Sequence, residues 1–172
     1  MASVGGGYMS DYDVFPVSRA PKSLDPPDSG NFTVYCKIKG SSRAGIPCLM
    51  SGNSKEWTRM AYELLKNGLQ KATGESMWSD MLALIDMRND RKYKINDAVL
   101  EGQDVLLKHG WTPKDCHITA HKKAIHFSHE AMRLGFLNPG ESAEDRPDII
   151  RRFLRHWHQA CGDSEVMGTG RQ

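Results

Sequence analysis

The chain has 172 residues, of which 39% are hydrophobic and 26% are charged, and its formal net charge at pH 7 is +2. This length fits one domain that can bury a core without disulfides or metal, and this composition excludes gross disorder. The small net charge by itself identifies no partner.

Two patterns bear on the compartment of the chain. No stretch approaches the ~20 apolar residues that a membrane span needs, and no apolar N-terminal segment indicates a secretory signal. The four cysteines, Cys36, Cys48, Cys116 and Cys161, form no CxxC pair. We therefore predict reduced thiols and a cytosolic protein whose membrane contacts are peripheral.

The sequence predicts three segments. Residues 1–30 are predicted to be a flexible arm, because they contain the Gly5-Gly6-Gly7 run and four prolines. Residues 31–161 are predicted to be a single globular α+β domain, and residues 162–172 a disordered tail. The expected fold is a small twisted antiparallel sheet packed with several amphipathic helices.

The first half of the domain is predicted to contain two strands and two helices. Alternation from Phe32 to Ile38 predicts a half-buried strand, and Ile46–Met50 predicts a short one that Pro47 confines to an edge. Asn53 followed by Glu56 has the spacing of a helix capping box. The first helix then carries one apolar stripe, and Ser76 caps the second; the stripe consists of Trp57, Met60, Ala61, Leu64, Leu65 and Leu69.

In the second half of the domain, the pattern of apolar residues predicts the secondary structure less clearly. Residues 95–107 fit a helix broken at Gly102 and are ambiguous. For residues 117–127 we favour two short strands over the start of a helix. Pro147 then fits the first turn of the clearest helix, which buries Ile150, Phe153, Leu154 and Trp157.

The chain lacks the GxSxG, HExxH, GxxxxGK[ST] and GxGxxG motifs. We therefore expect no enzyme and no cofactor. Cys116, His117, His121 and His129 could hold a metal ion, but their spacing matches no zinc motif, so surface histidines are the favoured interpretation. The alternative function is a small zinc- or nucleic-acid-binding module centred on Cys116–His129.

Basic side chains could neutralise the phosphates of a nucleic acid or of an anionic lipid surface. Contacts of this kind would not depend on the nucleic-acid sequence. The basic side chains are Lys37, Lys39, Arg43, Arg91, Lys92, Lys94, Lys122, Lys123, Arg151, Arg152 and Arg155.

The layout resembles the matrix proteins of rhabdoviruses, in particular plant-infecting, cytorhabdovirus-like members. A proline-bearing arm precedes the strand Asn31–Ile38, a turn with Arg43 and a helix with Trp57. A second helix follows and carries Trp78, Met81, Leu82 and Leu84. A C-terminal amphipathic helix ends the layout. The resemblance covers residues 31–159. It departs from the animal-infecting members because Pro26-Pro27 is followed by Asp28-Ser29 rather than by a budding motif.

This resemblance implies a non-enzymatic structural protein of the virion and host cytoplasm. Such a protein self-associates and bridges the viral nucleocapsid to the inner membrane surface during assembly and budding. The basic side chains would then contact RNA and lipid. The apolar patch Tyr12, Val14, Phe15 and Val17 would be the self-association segment, and no small-molecule substrate is expected.

Overall fold

The computed structural model describes residues 1–17, 30–38, 45–71 and 77–162. The chain divides into two compact units. Unit 1 comprises residues 1–14 and 19–99, and unit 2 comprises residues 15–18 and 100–172. Helices and strands both occur, so the expectation of a mixed α and β protein is confirmed at that level. The domain limits drawn at residues 31 and 161 stay a prediction.

The sheet of unit 1 is mixed. Its strands are β1 (Gly6–Ser10), β3 (Thr33–Lys37), β4 (Gly45–Asn53) and β5 (Lys94–Glu101), in the spatial order β1-β4-β3-β5. Strand β4 is antiparallel to both neighbours, whereas β5 is parallel to β3. The prediction of an antiparallel sheet is therefore wrong. Two helices precede β5, and a crossover of this kind can return the chain in the direction of β3.

Strand β4 is longer and more central than the sequence indicates. It has nine residues and lies between β1 and β3. Pro47 is tolerated there because the register shifts: Val34 is opposite Met50, but Cys36 is opposite Ile46. The proline lies in this irregularity, where its missing N–H interrupts no regular ladder.

The first residues are not a flexible arm. Residues 2–4 form a 3-10 turn, and β1 and β2 (Val14–Pro16) follow; the rest of the predicted arm, residues 18–29, lies outside the described residues. Gly6 and Gly7 form part of a strand rather than a linker. Gly6 has a φ of +108°, and a Cβ atom there would lie 2.5 Å from the carbonyl oxygen of Gly52. Only glycine permits this close pairing of β1 with β4.

Two helices complete unit 1. Helix α1 (Ser54–Lys71) begins as predicted, because the Asn53 side-chain oxygen accepts a hydrogen bond from the Glu56 N–H at 2.9 Å. Helix α2 (Asp80–Met87) is capped by Ser79, and Ser76 lies outside the described residues. Both helices pack on the core of the unit, which consists of Phe32, Val34, Met50, Met60, Ala83, Leu84 and Met87.

Unit 2 contains β6 (Ala124–His126), paired with β2, together with α3 (His129–Leu134) and α4 (Arg146–Cys161). Residues 94–101 are strand, which resolves the ambiguous segment, and residues 102–104 are a 3-10 turn. The preference for strands at 117–127 is right only for β6, because His117 belongs to a 3-10 helix, Pro113–Ile118. The core of the unit is Val17, Val105, Ile125, Phe127, Met132, Ile149, Ile150 and Phe153.

A disulfide joins Cys116 to Cys161 within unit 2. The prediction of reduced thiols is therefore wrong for these two residues. The disulfide ties the 3-10 helix Pro113–Ile118 to the last turn of α4, across 45 positions of sequence. A cross-link of that span restricts the unfolded chain and so stabilises the fold.

We expect the Cys116→Ala/Cys161→Ala double variant to lose about 4 kcal/mol of unfolding free energy, since a cross-link of this span restricts the unfolded chain by about that amount. Urea unfolding with and without a reductant measures the loss. Reductant should destabilise the wild type by a similar amount and leave the double variant unchanged. A wild type that is insensitive to reductant would contradict the prediction.

Candidate docking surface

The residues considered for a metal site do not come together. Cys116 is in the disulfide, the Nδ1–H of His117 donates to the Lys114 carbonyl at 2.7 Å, and His129 faces Glu144 at 4.0 Å. Across residues 1–17, 30–38, 45–71 and 77–162, no group of three potential ligands includes any of the four candidates. The interpretation of Cys116 as a ligand is wrong, because its sulfur is bonded to another sulfur.

The apolar patch predicted to drive self-association is largely used within the chain. Val17 is only 5% exposed, and its N–H donates to the Lys123 carbonyl at 3.0 Å. Phe15 packs edge-on against Phe127, with ring centroids 5.9 Å apart. Val14 is half-buried in β2, whereas Tyr12 is 82% exposed. One side chain of the four is therefore left prominent at the surface.

The predicted basic contacts lie in both units. Lys39 and Arg43 are outside the described residues. Unit 1 carries Lys37, Arg91, Lys92 and Lys94, and unit 2 carries Lys122, Lys123, Arg151, Arg152 and Arg155.

Three of these bases are paired with acids of their own unit. Lys92 pairs with Glu63 at 3.4 Å, Arg151 with Asp148, and Arg152 with Glu141. An acidic partner inside the fold competes with an external phosphate for the same charge.

Helix α1 is apolar on two sides. Met60 and Asn67 are buried and Trp57 and Leu64 pack on the core, so one side faces inward. The outer face of α1 consists of Thr58, Ala61, Tyr62, Leu65 and Leu69. Of these, Tyr62 is 69% exposed, Leu65 is 56% exposed and Leu69 is 77% exposed. The predicted single stripe is therefore wrong: Ala61, Leu65 and Leu69 belong to this second, exposed row.

Beside the outer face lies an apolar groove of about 470 Å³. Met1 and Met9 form its far wall, and Trp57, Thr58, Ala61, Tyr62 and Leu65 form the helical wall. The Trp57 indole N–H donates to the Gly7 carbonyl at 3.2 Å, which fixes β1 against the helix. Methionine side chains are flexible and fit irregular apolar partners, so this wall is suited to docking.

The acids of α1 lie off the outer face and are engaged. Glu56 accepts two hydrogen bonds from the Arg59 guanidinium, each at 2.8 Å, and one from the Phe32 N–H at 3.0 Å. The Arg59 hydrogen bonds, supported by that of Phe32, lower the pKa of the Glu56 carboxyl to about 2, although burial acts the other way. The exposed bases Lys55 and Lys66 border the apolar row.

Two thiols of unit 1, Cys36 on β3 and Cys48 on β4, are fully buried, with sulfurs within 4.8 Å of each other. The hydrogen bond with Cys36 and burial raise the pKa of the Cys48 thiol. A raised pKa favours the protonated thiol over the thiolate. The sequence did not reveal this pair, because the strand pairing rather than the spacing brings it together.

No protein-family model, curated protein or solved structure matches the chain. Among the residues whose structure is described, no helix combines the length and apolar character needed to cross a membrane.

The ion pair at the start of α1 predicts a pH dependence. The pKa of Glu56 in the folded protein is about 2, below its ordinary value of 4.5. The ionised Glu56 therefore contributes its full share of folding free energy above pH 4.5, and this contribution is lost as the pH falls toward 2. After a discount for partial exposure, we expect Glu56→Gln to cost about 1–2 kcal/mol at pH 7 and progressively less below pH 4.5. Urea unfolding of both proteins from pH 2 to 7 measures the difference.

Glu63→Gln is the matched control on the same helix, because its pair with Lys92 spans a longer 3.4 Å. It should cost less than about 0.5 kcal/mol. Equal losses in the two variants, or a Glu56→Gln loss that does not change with pH, would contradict the assignment.

Proposed function

We propose that this protein is a non-enzymatic assembly protein that self-associates through the outer face of α1. The observation that carries the proposal is the exposed row of Tyr62, Leu65 and Leu69, on a helix whose opposite side already faces the core. Contiguous apolar surface of this kind marks interaction sites on soluble proteins. Burial of one such side chain contributes about 1.5–3 kcal/mol.

The spacing of the row favours a helix as the partner. Thr58, Tyr62, Leu65 and Leu69 are separated by four, three and four positions, which is the spacing of the seam between paired helices. Ala61 is small and lets a second helix approach closely.

A second copy of the chain supplies a matching helix. In a two-fold symmetric pair the same surface meets itself, so one self-complementary row suffices for both subunits. With the helices antiparallel, Tyr62 of one subunit would lie beside Leu65 of the other.

The matrix-like role is the wider form of this proposal. Arg91, Lys94 and Arg155 are exposed, and among the residues described none of the three takes part in an ion pair, so they are the best placed of the predicted bases for nucleocapsid or anionic lipid contact.

The proposal predicts that Leu65→Glu abolishes self-association. A symmetric interface would receive two charges in its apolar centre, and losing even 1.5 kcal/mol per site weakens the dimer about 100-fold. Size-exclusion chromatography with light scattering, over a range of protein concentrations, measures the mass of each species. We expect a wild-type mass that grows with concentration and a monomeric variant.

Leu134→Glu is the matched control, because Leu134 is 58% exposed on α3 and the substitution is chemically identical. It should self-associate as the wild type does. A wild type that is monomeric at every concentration, or equal loss in both variants, would refute the proposed interface.

A further inference from the structure

Unit 2 contains a pocket that the proposed function does not use. Its volume is about 150 Å³, and it opens between the segment 105–111 and helix α4. Most of its lining is apolar, with Lys108, Asn138, Arg152 and His156 as the polar members. The apolar and glycine lining consists of Val105, Leu106, Leu107, Gly110, Trp111, Phe136, Ile149 and Phe153.

The walls of the pocket are fixed by contacts within the unit. The Trp111 indole N–H donates to the Val105 carbonyl at 2.7 Å, and the Trp111 ring meets Phe153 edge-on at 5.4 Å. The Phe136 N–H donates to the Leu106 carbonyl at 3.2 Å. A ligand would therefore enter a site that already exists and would lose little binding energy in ordering it.

The charged groups of the pocket are all basic. Arg152 is held by Glu141, with Nη2 and Oε2 2.9 Å apart, so its charge is largely balanced. Lys108 and His156 are exposed, and within the described part of the chain neither takes part in an ion pair. The lining contains no acidic side chain. The uncompensated positive charge at the mouth of the pocket is therefore that of Lys108, with His156 beside it when protonated.

We propose that this pocket binds a small organic carboxylate whose apolar part is the size of a benzene ring. An enclosed apolar cavity of about 150 Å³ holds benzene, and this pocket has the same volume although it is open on one side, so the volume sets an upper size for the apolar part. The carboxylate would lie at the mouth, where the Lys108 ammonium donates a charge-assisted hydrogen bond. Neither the site nor the ligand class depends on self-association through α1.

Benzoate is the probe, and benzamide, its neutral analogue of the same shape, is the matched ligand. We expect benzoate to bind at pH 7 with a Kd of about 1 mM, a typical affinity for so small a ligand, and benzamide to bind at least about tenfold more weakly. Titrations followed by 1H–15N NMR measure both constants. The indole N–H signal of Trp111, identified by its absence in Trp111→Phe, should shift more than those of Trp57, Trp78 and Trp157.

Lys108→Gln should weaken benzoate binding at least about tenfold and leave benzamide binding unchanged, because it removes the charge alone. Lys114→Gln is the matched control, since Lys114 is an exposed lysine of the same unit outside the pocket. It should bind benzoate as the wild type does. Equal affinity for the two ligands, equal loss in the two variants, or shifts spread over all four indoles would overturn the proposal.

Discussion

The orientation of α1 about its own axis depends on the carboxylate of Glu56. This group binds the Arg59 guanidinium and also accepts the N–H of Phe32, the residue before β3. Arg59 in turn donates to the Lys92 carbonyl at 2.8 Å, close to the start of β5. One ion pair thus connects the first turn of the helix to the two parallel strands of unit 1. Because three segments meet at this pair, a rotation of α1 would break all of its hydrogen bonds together.

The far end of α1 is fixed by a second polar group. Asn67, which is buried, accepts the Trp78 indole N–H at 3.1 Å and donates to the Asp86 carboxylate at 2.7 Å. With both ends fixed, helical geometry decides the rest: Met60 and Leu64 must face the core, and Tyr62, Leu65 and Leu69 must face away from it. The two fixed ends of α1 therefore keep its outer face exposed to solvent. Within the described residues, a rotation of α1 that buried this row would break the Glu56 and Asn67 contacts.

The sequence predicts what is local. The cap at Asn53, the strand at Thr33–Lys37 and the helix beginning near Pro147 follow from short-range patterns, and the structure confirms that all three exist. The strand is buried on both faces, however, so the prediction of a half-buried strand is wrong. The expectations that the structure contradicts concern contacts between residues far apart in sequence. The parallel pairing of β5, the part of β1 in the sheet and the disulfide each join residues far apart in sequence, and single-chain patterns carry no signal for them.

Part of the candidate surface can be predicted from the sequence. The predicted stripe omits Tyr62 and joins Ala61, Leu65 and Leu69 to Trp57 and Met60, although the structure leaves these three residues exposed. A count of apolar positions around the helix shows two rows and so indicates a second partner. Which row faces the core depends on Glu56 and Asn67, whose partners Phe32, Trp78 and Asp86 only the fold identifies.

Helix α4 shows the opposite arrangement, and the contrast explains why the two proposed binding sites differ in kind. Its apolar side is covered within unit 2, its basic residue Arg152 is held by Glu141, and its end is tied by Cys161. Beside it lies a small pocket, which suits a ligand that fits without rearrangement. Helix α1 instead leaves a whole row of side chains uncovered. Only an extended surface, such as another helix, can remove such a row from water.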